Sequence, residues 1–326
     1  MKIVHISDIG DDKEMLETSG RYIEKVIGKP DVIALTGDVC GEGYNDKERE
    51  KALELHRALV PYLPRIGLRE KDGENLDYIT DVARNIVHKR DCPQAYDNAQ
   101  AWIKFMQKVL ESKDSQYREV FKTYNGLSDR IFAVPGELDH PDLLCGKRER
   151  TTEEAVKRRL REQGKKATIR NVMTEAHKGV NFTGYCGNNP EFFHQGTYDT
   201  LMNEHDSNVV LLHSTEARTP EDLGLLKNYL ETRAPDVVLT GHTGRCNVPS
   251  KNEPASCQRK IIYPGSKTVI LNAGALQRVP GKKDFGTLLE LDMDGDCFVT
   301  RLVRHDILGK HDAEHFDYDI PKDFYR

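Results

Sequence analysis

Short apolar runs alternate with longer segments of helical spacing along this chain. Lys2-Ile3-Val4-His5-Ile6-Ser7-Asp8, Asp31-Val32-Ile33-Ala34-Leu35-Thr36-Gly37-Asp38, Val209-Val210-Leu211-Leu212-His213 and Asp236-Val237-Val238-Leu239-Thr240-Gly241-His242 are near-continuous runs rich in Val, Ile and Leu. Such runs predict strands buried on both faces of a parallel sheet. Between the first two, Met15, Leu16, Tyr22, Ile23, Val26 and Ile27 recur at helical spacing, and Gly28-Lys29-Pro30 closes the segment. Residues 1–40 therefore predict a βαβ unit with a right-handed crossover.

The segment of about 45–128 reads as mostly helical. Ala52, Leu53, Leu55, Ala58, Leu59 and Val60 form one stripe, interrupted by Pro61 and Pro64. Leu76, Ile79, Val82, Ala83, Ile86 and Val87 form a second; Ala101, Trp102, Phe105, Met106 and Val109 form a third, in which Trp102 is expected to be core. Arg130–Val134 then returns to a strand, so two or three helices are inserted between sheet strands as a cap. Residues 179–185 and 267–272 predict further strands, and Asp222–Leu230 a helix. Thr287–Asp292 and Cys297–Leu302 flank an Asp294-Gly295 turn and predict a hairpin. The expected organisation is one α/β domain over 1–309 and a tail over 310–326.

Bulk properties exclude some classes. The net charge of -5 offers no global basic field for nucleic acid. No apolar stretch approaches the roughly 20 residues that cross a bilayer, so no membrane role is expected. With no leader read at the N-terminus and seven scattered cysteines lacking a C-x-x-C pair, the expected setting is a reducing cytoplasm. Cys246 and Cys257 flank a loop and could pair or bind metal. Residues 147–170 are rich in Lys and Arg, diluted by Glu; this reads as a basic helical stretch, either solvated or a contact for a protein or nucleic acid.

The chemistry sits at the strand ends. Asp8, Asp38, His213 and His242 each end an apolar run. In an open α/β sheet the carboxyl ends of strands line one crevice, where ligands bind. Singly, each has a plainer reading: Asp38 could cap a helix, His213 could be a packed histidine, and His5, within its strand, is expected to be structural. Jointly they predict a metal site.

The pattern resembles the calcineurin-like metallophosphoesterase superfamily, whose signature runs Asp-x-His, Gly-Asp, Gly-Asn-His-Asp/Glu, a lone His, then Gly-His-x-His. This chain offers Asp8-Ile9-Gly10, Gly37-Asp38, Gly136-Glu137-Leu138-Asp139, His213 and Gly241-His242-Thr243-Gly244. Asn272-Ala273-Gly274-Ala275 stands where the family has Asn-Pro-Gly-Ser, and Gly184-Tyr185-Cys186-Gly187-Asn188-Asn189-Pro190 looks like a segment of a subgroup related to cyclic-nucleotide phosphodiesterases. The resemblance implies a two-sheet αββα sandwich with an inserted helical cap. It also implies two metal ions that generate the nucleophile and hold a phosphate-ester substrate.

Carried over by position, one metal would use Asp38, Glu137, His213 and His242, a ligand set suited to Mn, Fe or Zn. The other would keep Asp8 and the shared Asp38 but lose side chains at Gly10 and Gly244. Asp11, Asp12, Asp139 and Cys246 are candidates for rebuilding it. The assisting histidine is replaced by Leu138, with His140 two residues on. Asp8, Asp38 and His140 are thus the candidate catalytic residues, and Asp8, Asp38, Glu137, His213 and His242 the candidate metal ligands. The function implied is a phosphoesterase with one retained metal, slow or narrow in specificity. The alternative is an inactive binding or scaffold protein on the same fold.

Overall fold

The computed structural model describes residues 1–41, 43–69, 76–86, 93–136, 139, 167–169, 175–185, 195–203, 208–214, 220–241, 246–247, 268–278, 285–295 and 299–309. Glu137, Leu138, His140, His242, Gly244, Cys257, residues 147–166, most of the segment 184–190 and the tail lie outside the described residues.

Two six-stranded sheets face each other. In the first, β1 (Lys2–Ser7), β2 (Val32–Thr36), β3 (Arg130–Val134) and β4 (Ala167–Ile169) run parallel, and the predicted hairpin β11 (Thr287–Met293)–β12 (Val299–Asp306) extends it antiparallel from β1. In the second, β6 (Val180–Gly184), β7 (Val209–Leu211), β8 (Val237–Thr240) and β10 (Val269–Ala273) are parallel, with β5 (Glu175–His177) and β9 (Cys246–Asn247) antiparallel at the edges. The end of the basic stretch is therefore a strand, not a helix: Ile131, Phe132 and Ala133 pair with Ala167, Thr168 and Ile169. Edge pairing overrode the local charge pattern. Among the described residues no helix is long and apolar enough to cross a membrane.

Side-chain alternation splits each strand between two cores. Ile3, Val32, Ala34 and Phe132 point between the sheets and meet Phe182, Leu211, Leu239 and Leu271; the rings of Phe132 and Phe182 stack at 4.5 Å. Val4, Ile6, Ile33 and Leu35 point outward and are covered by helices. On the far side Val210, Leu212 and Val238 are covered by α5 (Gln195–Asn203) and α6 (Pro220–Arg233). Four layers result, αββα, as the apolar runs require, since strands buried on both faces need cover on both.

The helix after β1 differs from the expected one. α1 (Lys13–Tyr22) is capped by the Asp12 carboxylate, which accepts from the Met15 N–H at 3.1 Å. It then widens into a π-helix over Ile23–Ile27, ended by Gly28, whose N–H reaches back five residues to Ile23. Under the wider winding Ile23 and Ile27 stay inside, while Val26 turns out to 56% exposure. Val26 thus leaves the predicted stripe.

The insertion consists of α2 (Asp46–Leu59), a 3-10 helix over Val60–Ile66, α3 (Leu76–Asn85) and α4 (Pro93–Tyr124). A capping box on Asn45 and Glu48 starts α2. The prolines at 61 and 64 convert its last turns to 3-10 geometry. Ala52, Leu59, Leu63, Ile79, Val82 and Trp102 make a core of their own, and the buried indole donates to Thr80 Oγ1 at 3.1 Å. The 32-residue α4 serves two cores. Trp102 and Met106 belong to the insertion, whereas Tyr117, Val120, Phe121 and Tyr124 lie on the outer face of the first sheet.

Candidate metal centre

Asp8, Asp38 and His213 converge at the carboxyl ends of β1, β2 and β7. All three are buried, and their potential ligand atoms lie within 4.8 Å of one another. His213 Nε2 is 3.8 Å from Asp38 Oδ1. Ligand atoms sharing one cation at bond lengths near 2.1 Å sit about 3–4 Å apart, so only small side-chain movements separate this arrangement from coordination.

The backbone creates the convergence. Asp8 and Asp38 both follow a strand and both adopt left-handed backbone, with φ of 49° and 41°. That conformation is uncommon outside glycine and costs roughly 1–3 kcal/mol. It turns each chain sharply out of its strand and aims the carboxylate across the rim. Backbone hydrogen bonds knit the exits together: Gly37 N–H to Val134 O at 2.7 Å, Gly10 N–H to Asp38 O at 2.9 Å, and Gly241 N–H to His213 O at 2.9 Å. Asp38 caps no helix; the next one starts at Asp46, with Asn45 as its cap.

Glycines make room. A Cβ on Gly37 would lie 1.6 Å from His213 Nδ1, one on Gly136 would lie 2.2 Å from Asp38 Oδ1, and one on Gly241 would lie 1.7 Å from Ser7 Oγ. The signature glycines are thus the walls against which the side chains rest. His213 Nδ1 also faces Thr36 O at 3.5 Å. An Nδ1–H donated there leaves the Nε2 lone pair directed toward Asp38, the tautomer a metal ligand needs. Ser7 Oγ donates to Thr36 O at 2.6 Å and lies 3.1 Å from Asp8 Oδ2.

Asp139 is not available to rebuild a metal site. It is fully buried, and its carboxylate accepts from the backbone N–H groups of Val39 (3.2 Å), Cys40 (2.9 Å) and Gly136 (2.7 Å) and from the Cys40 thiol (3.1 Å). It clamps the loop after β2 to the loop after β3. Asp12 is spent as the cap of α1 and pairs with Arg278. Asp11 packs against Gly41, and the backbone of Cys246 in β9 pairs in register with Ala273 in β10. None of the three aspartates joins the cluster among the described residues.

Two residues of α4 were missed by sequence reasoning. Lys113, 1% exposed, donates from Nζ to Gly41 O at 2.9 Å. Gln116 Oε1 accepts from Gly41 N–H at 2.7 Å. Both backbone groups of Gly41, three residues after Asp38, are held by the insertion. Across the site, Asn272 Nδ2 donates to Gly241 O and its Oδ1 accepts from Gly274 N–H, both at 2.8 Å. The Asn-Ala-Gly-Ala segment thereby braces the chain just before His242.

His5 behaves as a structural histidine. It is buried between the sheets with Nε2 2.7 Å from Thr36 Oγ1, and burial holds its pKa down at about 3.

An αββα sandwich with carboxylates and an imidazole gathered at its strand ends defines a metallophosphoesterase-type centre. The family model for calcineurin-like phosphoesterases matches residues 1–246, and the chain belongs to that family. No curated protein sequence matches it significantly. Among solved structures, one crystal structure is 14% identical over 94% of this chain and 98% of its own, with a TM-score of 0.53; it shares the fold. The crystal structure of TT1561 of Thermus thermophilus is 11% identical over the same shares, with a TM-score of 0.48.

Proposed function

We propose that this protein is a metal-dependent phosphoric ester hydrolase built around one retained divalent transition metal. The observation that carries this reading is the buried gathering of Asp8, Asp38 and His213 within 4.8 Å. Two carboxylates so close in a low-dielectric site repel, and a cation between them offsets that cost. The donor set of carboxylate oxygens and an imidazole fits Mn, Fe or Zn. When bound, such an ion supplies Lewis acidity and an activated water at neutral pH.

The protein's own groups would divide the work. Asp38 and His213 hold the cation, with Glu137 and His242 as the completing ligands expected from the sequence. Asp8, on the adjacent edge, orients the attacking water as a hydrogen-bond acceptor. Leu138 cannot protonate a leaving group. His140 is the nearest sequence candidate for that role, and without such an acid the reaction is slow or confined to good leaving groups.

The experiment is metal analysis of the purified protein together with hydrolysis of an activated phosphodiester, bis(p-nitrophenyl) phosphate, with and without added Mn2+. Bound metal and a turnover abolished by His213→Ala support the hydrolase. Bound metal with no turnover on mono- or diesters supports a binding protein on this fold, a reading favoured by the glycine at position 10.

A further inference from the structure

Position 10, where the signature has its first histidine, is glycine here, and the place its Cβ would take is occupied by another residue. A Cβ on Gly10 would lie 1.7 Å from Gln277 Oε1 and 2.4 Å from its Cδ. The amide of Gln277 is therefore packed directly onto the Gly10 backbone, whose φ of 61° favours glycine. Gln277 comes from the segment after β10, and that segment is anchored beside the site. Its own N–H donates to Asp8 O, and the N–H of Leu276 donates to Ser7 O, both at 3.0 Å. Gly10 N–H in turn donates to Asp38 O at 2.9 Å. The side chain is thus delivered to the one piece of backbone that carries Asp8 and is bonded to Asp38.

A leucine or methionine would fill the same volume with no polar group to place, whereas the Gln277 amide keeps a face open to solvent and so to a ligand. Gln277 is half-buried, and no described residue hydrogen-bonds its amide. An anchored backbone and an uncommitted polar end characterise a group that meets a ligand.

We propose that Gln277 takes over the ligand position that residue 10 has given up, adding an amide oxygen to the Asp8 and Asp38 carboxylates on that edge of the crevice. This rests on the metal-dependent reading above and extends it from the one tightly held ion to a second, weaker one, for which Asp8 serves as a ligand rather than only as a partner of the water. Replacing an imidazole by an amide oxygen changes the class of cation served. Two carboxylates and an amide form an all-oxygen set that suits Mg2+ or Mn2+ and binds weakly, whereas the edge carrying His213 retains the preference for a transition metal. The site would then hold a tight ion and an exchangeable one.

The test is a Mn2+ titration of the chelator-stripped protein, with free aquo-Mn2+ counted by electron paramagnetic resonance. Wild type is expected to show a tight and a weak class of site. Gln277→Ala should raise the Kd of the weak class about tenfold, a typical cost of removing a group that supports a metal, and leave the tight class unchanged. Gln277→Glu should lower it by adding a charge. His213→Ala should affect the tight class. A single class in wild type, or a weak class indifferent to both Gln277 substitutions, overturns the role of Gln277 while leaving the tight site standing. No Mn2+ binding at all overturns the metal-dependent reading and this inference with it.

Discussion

The imidazole of His213 rests on the backbone of Gly37, so closely that a Cβ at position 37 would lie 1.6 Å from Nδ1. The glycine preceding Asp38 thus positions the histidine as well as the turn.

Gly37→Ala should therefore displace His213 and strain a residue with φ of 80°. The strain alone is expected to cost roughly 1–3 kcal/mol. Urea unfolding and metal titration on the same variant should show both losses. Wild-type metal affinity in a destabilised Gly37→Ala protein would separate the glycine from the site.

Asp38→Asn makes the opposite prediction. Asparagine tolerates left-handed backbone nearly as well as aspartate, so the fold should survive with a melting temperature close to wild type. The charge is lost, and bound metal should fall at least about tenfold. Metal content retained at wild-type level would remove Asp38 from the ligand set.

Asp139→Ala should destabilise the protein although residue 139 is not among the three residues that gather at the cation site. Three backbone N–H groups lose a charged acceptor inside the fold. Hydrogen bonds to charged groups contribute about 1.5–3 kcal/mol each, so a loss of at least about 3 kcal/mol is expected in urea. A near-neutral change would mean that the two loops hold together by other means.

Lys113→Met tests the reach of the insertion. It removes the donor to Gly41 O while keeping the length of the side chain. Metal affinity should weaken severalfold although residue 113 is not a ligand, and the double variant with Gln116→Ala should weaken it further. Unchanged affinity in both would confine α4 to packing.

Acid should destabilise the protein in two steps. The unfolded chain protonates His5 near 6.5, whereas the folded chain holds it down at about 3. Stability is thus full above about pH 6.5 and falls as pH drops toward 3, by up to about 1.4 kcal/mol per pH unit. Burial pushes the Glu290 carboxyl up, but hydrogen bonds from His305 and Lys2 outweigh it and hold it down at about 2 from 4.5. Its contribution is therefore lost only between those lower values. Urea midpoints at pH 7 and pH 5 report His5 together with His177, whose pKa is also lowered by burial and by the nearby Lys178, and His5→Gln should shrink that difference.

The strands and their ends were legible because the physics is local. A run such as Val32–Leu35 has to be covered on both faces, and Gly37-Asp38 marks a turn wherever it occurs. The grouping of Asp8, Asp38 and His213 followed from reading those ends together. Asp139, Lys113, Gln116 and Gln277 were not legible in these roles. Each bonds or packs against backbone from a distant part of the chain, and a backbone N–H or carbonyl leaves no residue-type signature. Asp139 reads as a possible ligand because a carboxylate beside a metal motif looks the same whether it faces a cation or amides. Val26 leaves the stripe that its spacing predicts because a π-helix shifts the buried face without altering the composition.

The continuity of α4 constrains how this protein can be re-engineered. Trp102 in the insertion core and Lys113 at the crevice loop lie on one unbroken helix, so the cap is not a removable module. A chimera that borrows a relative's cap must splice inside α4. An error of one residue at the junction would rotate Lys113 and Gln116 by about 100°, leaving Gly41 unheld even though every residue next to the metal were intact.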